Sequence, residues 1–294
     1  MKYTSAQLRA IQTIDNNLQI IACAGSGKTQ VISRRIVEIL RRGVQPGTIV
    51  AFTFTERAAA ELKDRIQRLC MEEMKKDTGL AEMFVGTIHA YCLNLLQQPP
   101  VYKFLKYSLL TEVQQRLQID RNSVKSGLTS APLLKGGTLK RHLDSYLYQQ
   151  ILGVLGEGTV DMTQVPAGVK DAVAAYDRLC EAHRHLDYTT IIAAAIAELE
   201  NNRALRDKVA TQLNYLVVDE YQDVNPLQER LIENLHRIGA NICVVGDDDQ
   251  TVYQWRGSEV DNIIHFAERY PEVKRERLNE NFRSSGGVWS GPHF

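Results

Sequence analysis

The sequence predicts an α/β fold, a parallel sheet built from βαβ units and interrupted by an inserted, all-helical subdomain. Three observations carry that expectation. Short runs rich in Ile and Val stand before turns, most of them leading on into amphipathic stretches, four times along the 294 residues. Those runs are nearly continuous in apolar residues instead of alternating, as in strands buried on both faces. Between about 98 and 185 such runs vanish, leaving helical spacing broken by Gly, Pro and Ser.

The first run, LQIIACA at 18–24, leads into GSGKT and then QVISRRIVEIL. The second, TIVAFTF at 48–54, leads into TERAAAELKDRIQRL, rich in good helix formers. NYLVVDE at 214–220 is followed, after Pro226, by LQERLIENLHRI, and NICVVGD at 241–247 closes the series. The helical stretch carries breaks such as SGLTSAPLLKGG and LGEGTVDMTQVPAG. The α/β part is therefore expected from 1–97 and 186–280, with the helical insertion at 98–185.

Composition narrows the class. A hydrophobic content of 44% with 24% charged residues is that of an ordinary soluble protein, and no apolar run of 18 residues is present to cross a membrane. The start, MKYTSAQLRAIQT, has no apolar stretch of a secretory leader. Cys23, Cys70, Cys92, Cys180 and Cys243 lie far apart with no CxxC pair and no clustered His. That speaks against a zinc site or a disulfide framework and fits a reducing, cytoplasmic setting. Net charge is zero, yet residues 101–150 hold eight cations (Lys103, Lys106, Arg116, Arg121, Lys125, Lys135, Lys140, Arg141) against three anions. Such a stretch is either a solvated helical surface or a face for nucleic acid.

Three motifs carry chemistry. Ala24–Thr29, AGSGKT, sits between a predicted strand and a predicted helix. The backbone amides of Gly25, Ser26 and Gly27 can wrap a phosphate, Lys28 can reach the β- and γ-phosphates, and the Thr29 hydroxyl can bind Mg²⁺. The general pattern has Gly where Ala22 stands, and a glycine-rich turn with an incidental lysine is the alternative. The second motif is VVDEYQD at 217–223, where Asp219 would help hold the metal and Glu220 would deprotonate a water. Alone, acidic residues after a strand are common helix caps; paired with AGSGKT in this order they mean more. In the third, VVGDDDQTVYQWRGS at 244–258, Gln250 could sense a γ-phosphate. Tyr253, Trp255 and Arg256 offer aromatic and cationic surface that stacks bases and grips phosphates, unless Trp255 is simply core.

Together, TSAQLRAI, AGSGKT, TFTERAAAEL, VGTIHAYC, VVDEYQD, VVGDDDQTVYQWRGS and LNENFRSS occur in the order found in UvrD/Rep/PcrA-like superfamily 1A DNA helicases. The chain resembles that family over residues 3–285, and YQWRGS with DEYQD is a specific pairing. The resemblance implies a RecA-like ATP-binding domain, ATP and Mg²⁺ as cofactors, and single-stranded or tailed duplex DNA as partner, moved in the 3′ to 5′ direction. It implies that Gln7 reads the adenine edge and that Phe282, where the family usually has Tyr, stacks on the base. Arg283 would reach the γ-phosphate from across the cleft, and Phe54 and His89 would lie on the DNA track with Tyr253, Trp255 and Arg256. A satisfied buried histidine is the alternative for His89. His183 and His185 match nothing and are expected at the surface.

Departures from the family pattern bear on these roles. Gln30 stands where many members have Arg, which would weaken one nucleotide contact, and Glu56 replaces the usual Asn, as in some nuclease-associated RecB/AddA-like relatives. The family continues after NFRSS into a second RecA-like domain, which residues 281–294 would only begin. The chain by itself is then expected to bind nucleotide and DNA with little turnover.

Overall fold

The computed structural model describes residues 3–75, 79–133, 136–247 and 261–282. In chain order the elements begin with α1 (Ser5–Gln12), β1 (Leu18–Ala22), α2 (Lys28–Arg41), β2 (Ile49–Phe52), α3 (Glu56–Met74), β3 (Phe84–Gly86) and α4 (Ile88–Leu96). There follow β4 (Ser108–Leu109), α5 (Glu112–Arg121), α6 (Ser145–Gly156), α7 (Ala167–His183), β5 (His185–Leu186), α8 (Tyr188–Asn201) and α9 (Arg203–Gln212). The chain then forms β6 (Tyr215–Val218), α10 (Pro226–Arg237), β7 (Asn241–Gly246), α11 (Asp261–Ile264), α12 (Phe266–Arg269) and β8 (Lys274–Leu278). Two units result: Met1–Tyr91 with Arg206–Val224 and the chain from Glu233 onward, and Cys92–Leu205 with Asn225–Ile232.

The first unit is built on a six-stranded sheet in the order β3-β2-β6-β7-β1-β8, with every pairing parallel. The α/β fold class read from the sequence is therefore the observed one. Its central strands are covered on both faces: all of β2 is buried, as are Leu18, Gln19, Ile20 and Ala22 of β1. In α3 the buried residues Ala59, Leu62, Ile66 and Cys70 recur every three or four positions, so one stripe faces the core. Thr55 opens that helix, its hydroxyl accepting from the Ala58 N–H. Helix α1 starts with a reciprocal cap, Thr4 accepting from the Gln7 N–H and Gln7 Oε1 accepting from the Thr4 N–H.

Two of the six strands had no signal in the apolar pattern. β3 has only three residues, too few to show a period. β8 reads KRERL, and only Leu278 is buried. Among the described residues it pairs with β1 alone, and charged side chains on an edge strand guard an open ladder against further pairing.

The second unit packs α5, α6 and α7 around Ile119, Leu128, Tyr148, Leu152, Tyr176 and Cys180. Gly127 sits at φ +82°, and a Cβ there would lie 2.4 Å from the Ala172 carbonyl oxygen, so neither conformation nor space admits a side chain. Asp187 caps α8 and also accepts from the buried Tyr176 hydroxyl at 2.7 Å and from Gln115 Nε2 at 3.0 Å. This stretch is not wholly helical: β4 and β5 form a two-residue parallel pair, too short to leave a sequence signal. His183 is exposed as expected, whereas His185 in β5 is half-buried, with Nδ1 hydrogen-bonded to Gln118 Oε1 at 2.5 Å.

Candidate nucleotide and nucleic-acid site

Each strand of the six-stranded sheet leads from its carboxyl end directly into a motif singled out in the sequence. After β1 the chain turns through Gly25 (φ 78°) and Gly27 (φ 84°) into α2. Both angles lie where a Cβ is strained, which is why this loop needs glycine. Gly27 is the residue before the first turn of α2, so free amides and the positive end of the helix dipole collect at the loop. Ser26 is fully buried, and its hydroxyl has no hydrogen-bond partner among the described residues.

Lys28 and Glu220 are 192 residues apart in the chain, yet Lys28 Nζ donates to Glu220 Oε2 at 3.0 Å. The strand pairing brings them together: β6 and β1 flank β7, and both open at the same edge. Glu220 adopts a left-handed backbone (φ 51°), which turns the chain sharply after β6. Asp219 precedes it, its N–H bonded to the Phe52 carbonyl at 2.9 Å and its Oδ1 accepting from the Glu220 N–H. Burial, then the charge of Glu220, pushes the Asp219 carboxyl up to about 7, although Lys28 pulls the other way. Asp223 is raised to about 6 for the same two reasons.

On the other side of the loop a cavity of about 160 Å³ is lined by Thr4, Gln7, Ser26, Arg277, Asn279 and Phe282, among others. Gln7 Nε2 donates to the Ser26 carbonyl at 3.0 Å, and the Phe282 N–H donates to the Gly25 carbonyl at 2.9 Å. The two residues expected at a base thus stand on either side of the phosphate loop in one cavity, with the Phe282 ring largely exposed. Gln30, the departure from the family pattern, donates to the Tyr3 hydroxyl at 2.9 Å and accepts from Arg65 at 2.8 Å.

Phe54, exposed, follows β2, and His89 lies in the first turn of α4 just after β3. Behind them Phe52, Phe84 and Tyr91 pack edge to face at 5.2–6.4 Å between centroids. Burial holds the His89 imidazole down to about 4, so it is neutral at pH 7. Glu56 accepts from the Thr87 hydroxyl at 2.9 Å, tying the start of α3 to the turn before α4. Gln250, Tyr253, Trp255, Arg256 and Arg283 lie outside the described residues.

Two residues were missed by sequence reading. Gln222 is buried and touches both Glu220 and the end of β7; its only signal is its place two residues after Glu220 in a 3-10 turn. Arg35 is fully buried in α2, donating to the Ala10 carbonyl at 3.0 Å and to that of Thr13, so it closes the carboxyl end of α1. It reads as one of two adjacent arginines on an amphipathic helix, and nothing in the spacing distinguishes it from Arg34.

Among the described residues no three His, Cys, Asp or Glu side chains converge as a metal cage, and no helix is long and apolar enough to cross a membrane. All five cysteines are free, four of them buried.

The family described as UvrD/REP helicase N-terminal domain matches residues 3–271. Among named proteins, the chain is 30% identical to ATP-dependent DNA helicase PcrA of Bacillus subtilis over 294 residues, covering 95% of this chain and 37% of that protein. It is 29% identical to the PcrA helicase of Staphylococcus epidermidis over 97% of this chain, and 28% identical to that of Staphylococcus aureus over 95%. The chain therefore spans less than two-fifths of the length of these relatives.

Proposed function

The chain belongs to the UvrD/REP helicase family, and from that membership and the geometry of its phosphate loop we propose that it is the ATP-hydrolysing part of a DNA translocase. In this reading the protein moves 3′ to 5′ along single-stranded DNA, acts in the cytoplasm, and works together with a second RecA-like domain. The observation that carries the proposal is the 3.0 Å contact between Lys28 and Glu220, which joins the phosphate loop to the carboxylates after β6.

The amides of Gly25–Gly27 and the start of α2 cradle the phosphates, and Lys28 leaves Glu220 for the γ-phosphate when nucleotide enters. Gln7 keeps one amide hydrogen and one carbonyl lone pair beyond its two protein bonds, enough for the paired donor and acceptor on adenine. Phe282 supplies the face on which the base stacks. The Thr29 hydroxyl and the Asp219 carboxylate are hard oxygen donors and would hold Mg²⁺ jointly with the phosphates, the usual arrangement for an ion that keeps most of its water. Burial and the charge of Glu220 raise the proton affinity of Asp219, and a bound cation beside that carboxylate would offset both, which supports the fit of that ion. When bound, Mg²⁺ would neutralise charge on the β- and γ-phosphate oxygens.

Hydrolysis then needs a water held in line with the γ-phosphorus. Glu220 accepts its proton as the new O–P bond forms, while the bond from phosphorus to the β–γ bridging oxygen breaks and ADP departs. Gln250 would sense the γ-phosphate and Arg283 would stabilise the leaving charge. Phe54 and His89, with Tyr253, Trp255 and Arg256, would line the DNA path. The test is a pair of variants. Glu220→Gln is expected to keep ADP and ATP affinity while removing hydrolysis, and Lys28→Ala to weaken nucleotide binding itself. Equal loss of binding in both would contradict the division of roles.

A further inference from the structure

Glu220 Oε2 accepts two hydrogen bonds, from Lys28 Nζ at 3.0 Å and from Gln222 Nε2 at 2.8 Å, while among the described residues Oε1 accepts none. The other end of the Gln222 side chain is also fixed, because its Oε1 accepts from the Asp247 N–H at 3.0 Å, just beyond β7. A backbone N–H can only donate and a carboxylate can only accept, so the amide has one orientation and its NH₂ must face Glu220. Gln222 is 5% exposed, so either bond lost would leave a buried polar atom unpaired. The last residue of β7 has given up its side chain to admit this contact: a Cβ on Gly246 would lie 2.5 Å from Gln222 Oε1 and 2.5 Å from Ile263 Cδ1.

We propose that Gln222 is the positioning residue for Glu220, holding its carboxylate by one oxygen so that the other faces the attacking water once Lys28 has moved to the phosphate. The inference rests on the reading of Glu220 as general base. In the nucleotide-free protein Lys28 and Gln222 share the task. When the lysine turns to the γ-phosphate, Gln222 alone remains. Its own anchor lies on the backbone after β7, so Glu220 is referred to the sheet and not to a mobile side chain. A glutamate without that bond samples many rotamers, and a small misplacement of a base costs rate and not binding.

The experiment uses the intact protein with saturating single-stranded DNA. Gln222→Met keeps length and bulk but removes both hydrogen bonds, and turnover is expected to fall at least tenfold while KM for ATP and Kd for ADP stay within threefold. Gln222→Glu keeps the acceptor for the Asp247 N–H and donates to Glu220 only when protonated. Its turnover should therefore rise relative to wild type as pH falls from 8 to 6. A merely structural role would not give that pH signature. Wild-type turnover in Gln222→Met, or parallel loss of ADP binding and turnover with a flat relative pH profile in Gln222→Glu, would overturn the proposal. If instead Glu220→Gln hydrolyses ATP normally, the reading of Glu220 fails, and that result is separate from either outcome at position 222.

Discussion

Asp219 offers a sharp test of the metal site, because its protonation and its metal binding compete. Its carboxyl is pushed to about 7 by burial and by the neighbouring Glu220, against an ordinary value near 3.8. An ion held by this oxygen must displace the proton, so apparent affinity should scale with the ionised fraction. That fraction is about one in eleven at pH 6, a half at pH 7 and nine-tenths at pH 8, a change of about tenfold or ~1.4 kcal/mol. An Asp with an ordinary value would give no change across the same range. The assay is Mg²⁺ titration of the ADP complex at pH 6, 7 and 8 by calorimetry, in two buffers of different ionisation enthalpy to count the protons released. Asp219→Asn serves as reference, since it keeps the nucleotide's own titration and removes that of the carboxylate. Wild type should lose affinity about tenfold more than the variant between pH 8 and 6; the same slope in both would refute the reasoning.

The sign for stability is opposite to that of a salt-bridged acid. The folded chain holds this proton more tightly than the unfolded chain does. The stability drawn from Asp219 is therefore complete below about pH 4 and is lost as pH rises toward 7. Mg²⁺ with nucleotide should restore it, so the gain in melting temperature on adding both should be larger at pH 8 than at pH 6. Removing the neighbouring charge by Glu220→Gln should lower the midpoint, because that charge is the second cause of the shift.

Other consequences are equally direct. His89 is held near 4 by burial, so its stabilising neutrality is present above about 6.5 and lost as pH falls toward 4, and His89→Gln should leave the pH profile of DNA affinity unchanged between 6 and 8. Arg35→Met should destabilise the chain by about 1–3 kcal/mol, because the Ala10 and Thr13 carbonyls lose this donor, and should weaken ADP more than pyrophosphate as α1 loosens around Gln7. Gly127→Ala should destabilise the helical unit by about 2–4 kcal/mol in chemical denaturation, since both φ and the Ala172 backbone oppose a Cβ. Replacing the exposed Lys140 and Arg141 by Ser should reduce the salt slope of binding to tailed duplex by about one to two if they meet phosphates, and an unchanged slope leaves them as solvated surface.

The parts of the fold that were legible in sequence are those whose physics is local. β1, β2, β6 and β7 declared themselves because burial on both faces demands unbroken apolar runs. β8 did not, because an edge strand is selected for charge and its KRERL resembles a helix surface. The β4–β5 pair is fixed by hydrogen bonds between segments 77 residues apart, a long-range choice with no periodic trace. In the site, glycine at a left-handed turn and lysine at the start of a helix are short-range features, so AGSGKT was readable. Gln222 and Arg35 were not, because what makes each special is a partner supplied by another element: the amide beyond β7 for one, the carboxyl end of α1 for the other.

The strand order also sets which residues can influence one another. Along the carboxyl edge of the sheet stand His89 after β3, Phe54 after β2, Glu220 after β6, Asp247 after β7, Lys28 after β1 and Phe282 after β8. Neighbouring strands lie about 4.8 Å apart, so Phe54 and Phe282 are roughly 19 Å apart, with the carboxylates between them. At that spacing two side chains share no partner, and their effects on ground-state binding should add. Phe54→Ala is expected to weaken single-stranded DNA by roughly 1–3 kcal/mol, the value of one stacked base, and to leave ADP affinity alone. Phe282→Ala should do the reverse, and the double variant should equal the sum within about 0.5 kcal/mol for each ligand. Any communication between the two ligands would then have to pass through β6 and β7, where Gln222 joins Glu220 to the Asp247 backbone. A coupling above about 1 kcal/mol between Phe54 and Phe282 would show that the two ends of the edge act as one site, and the separation of nucleotide and DNA along the sheet would be wrong.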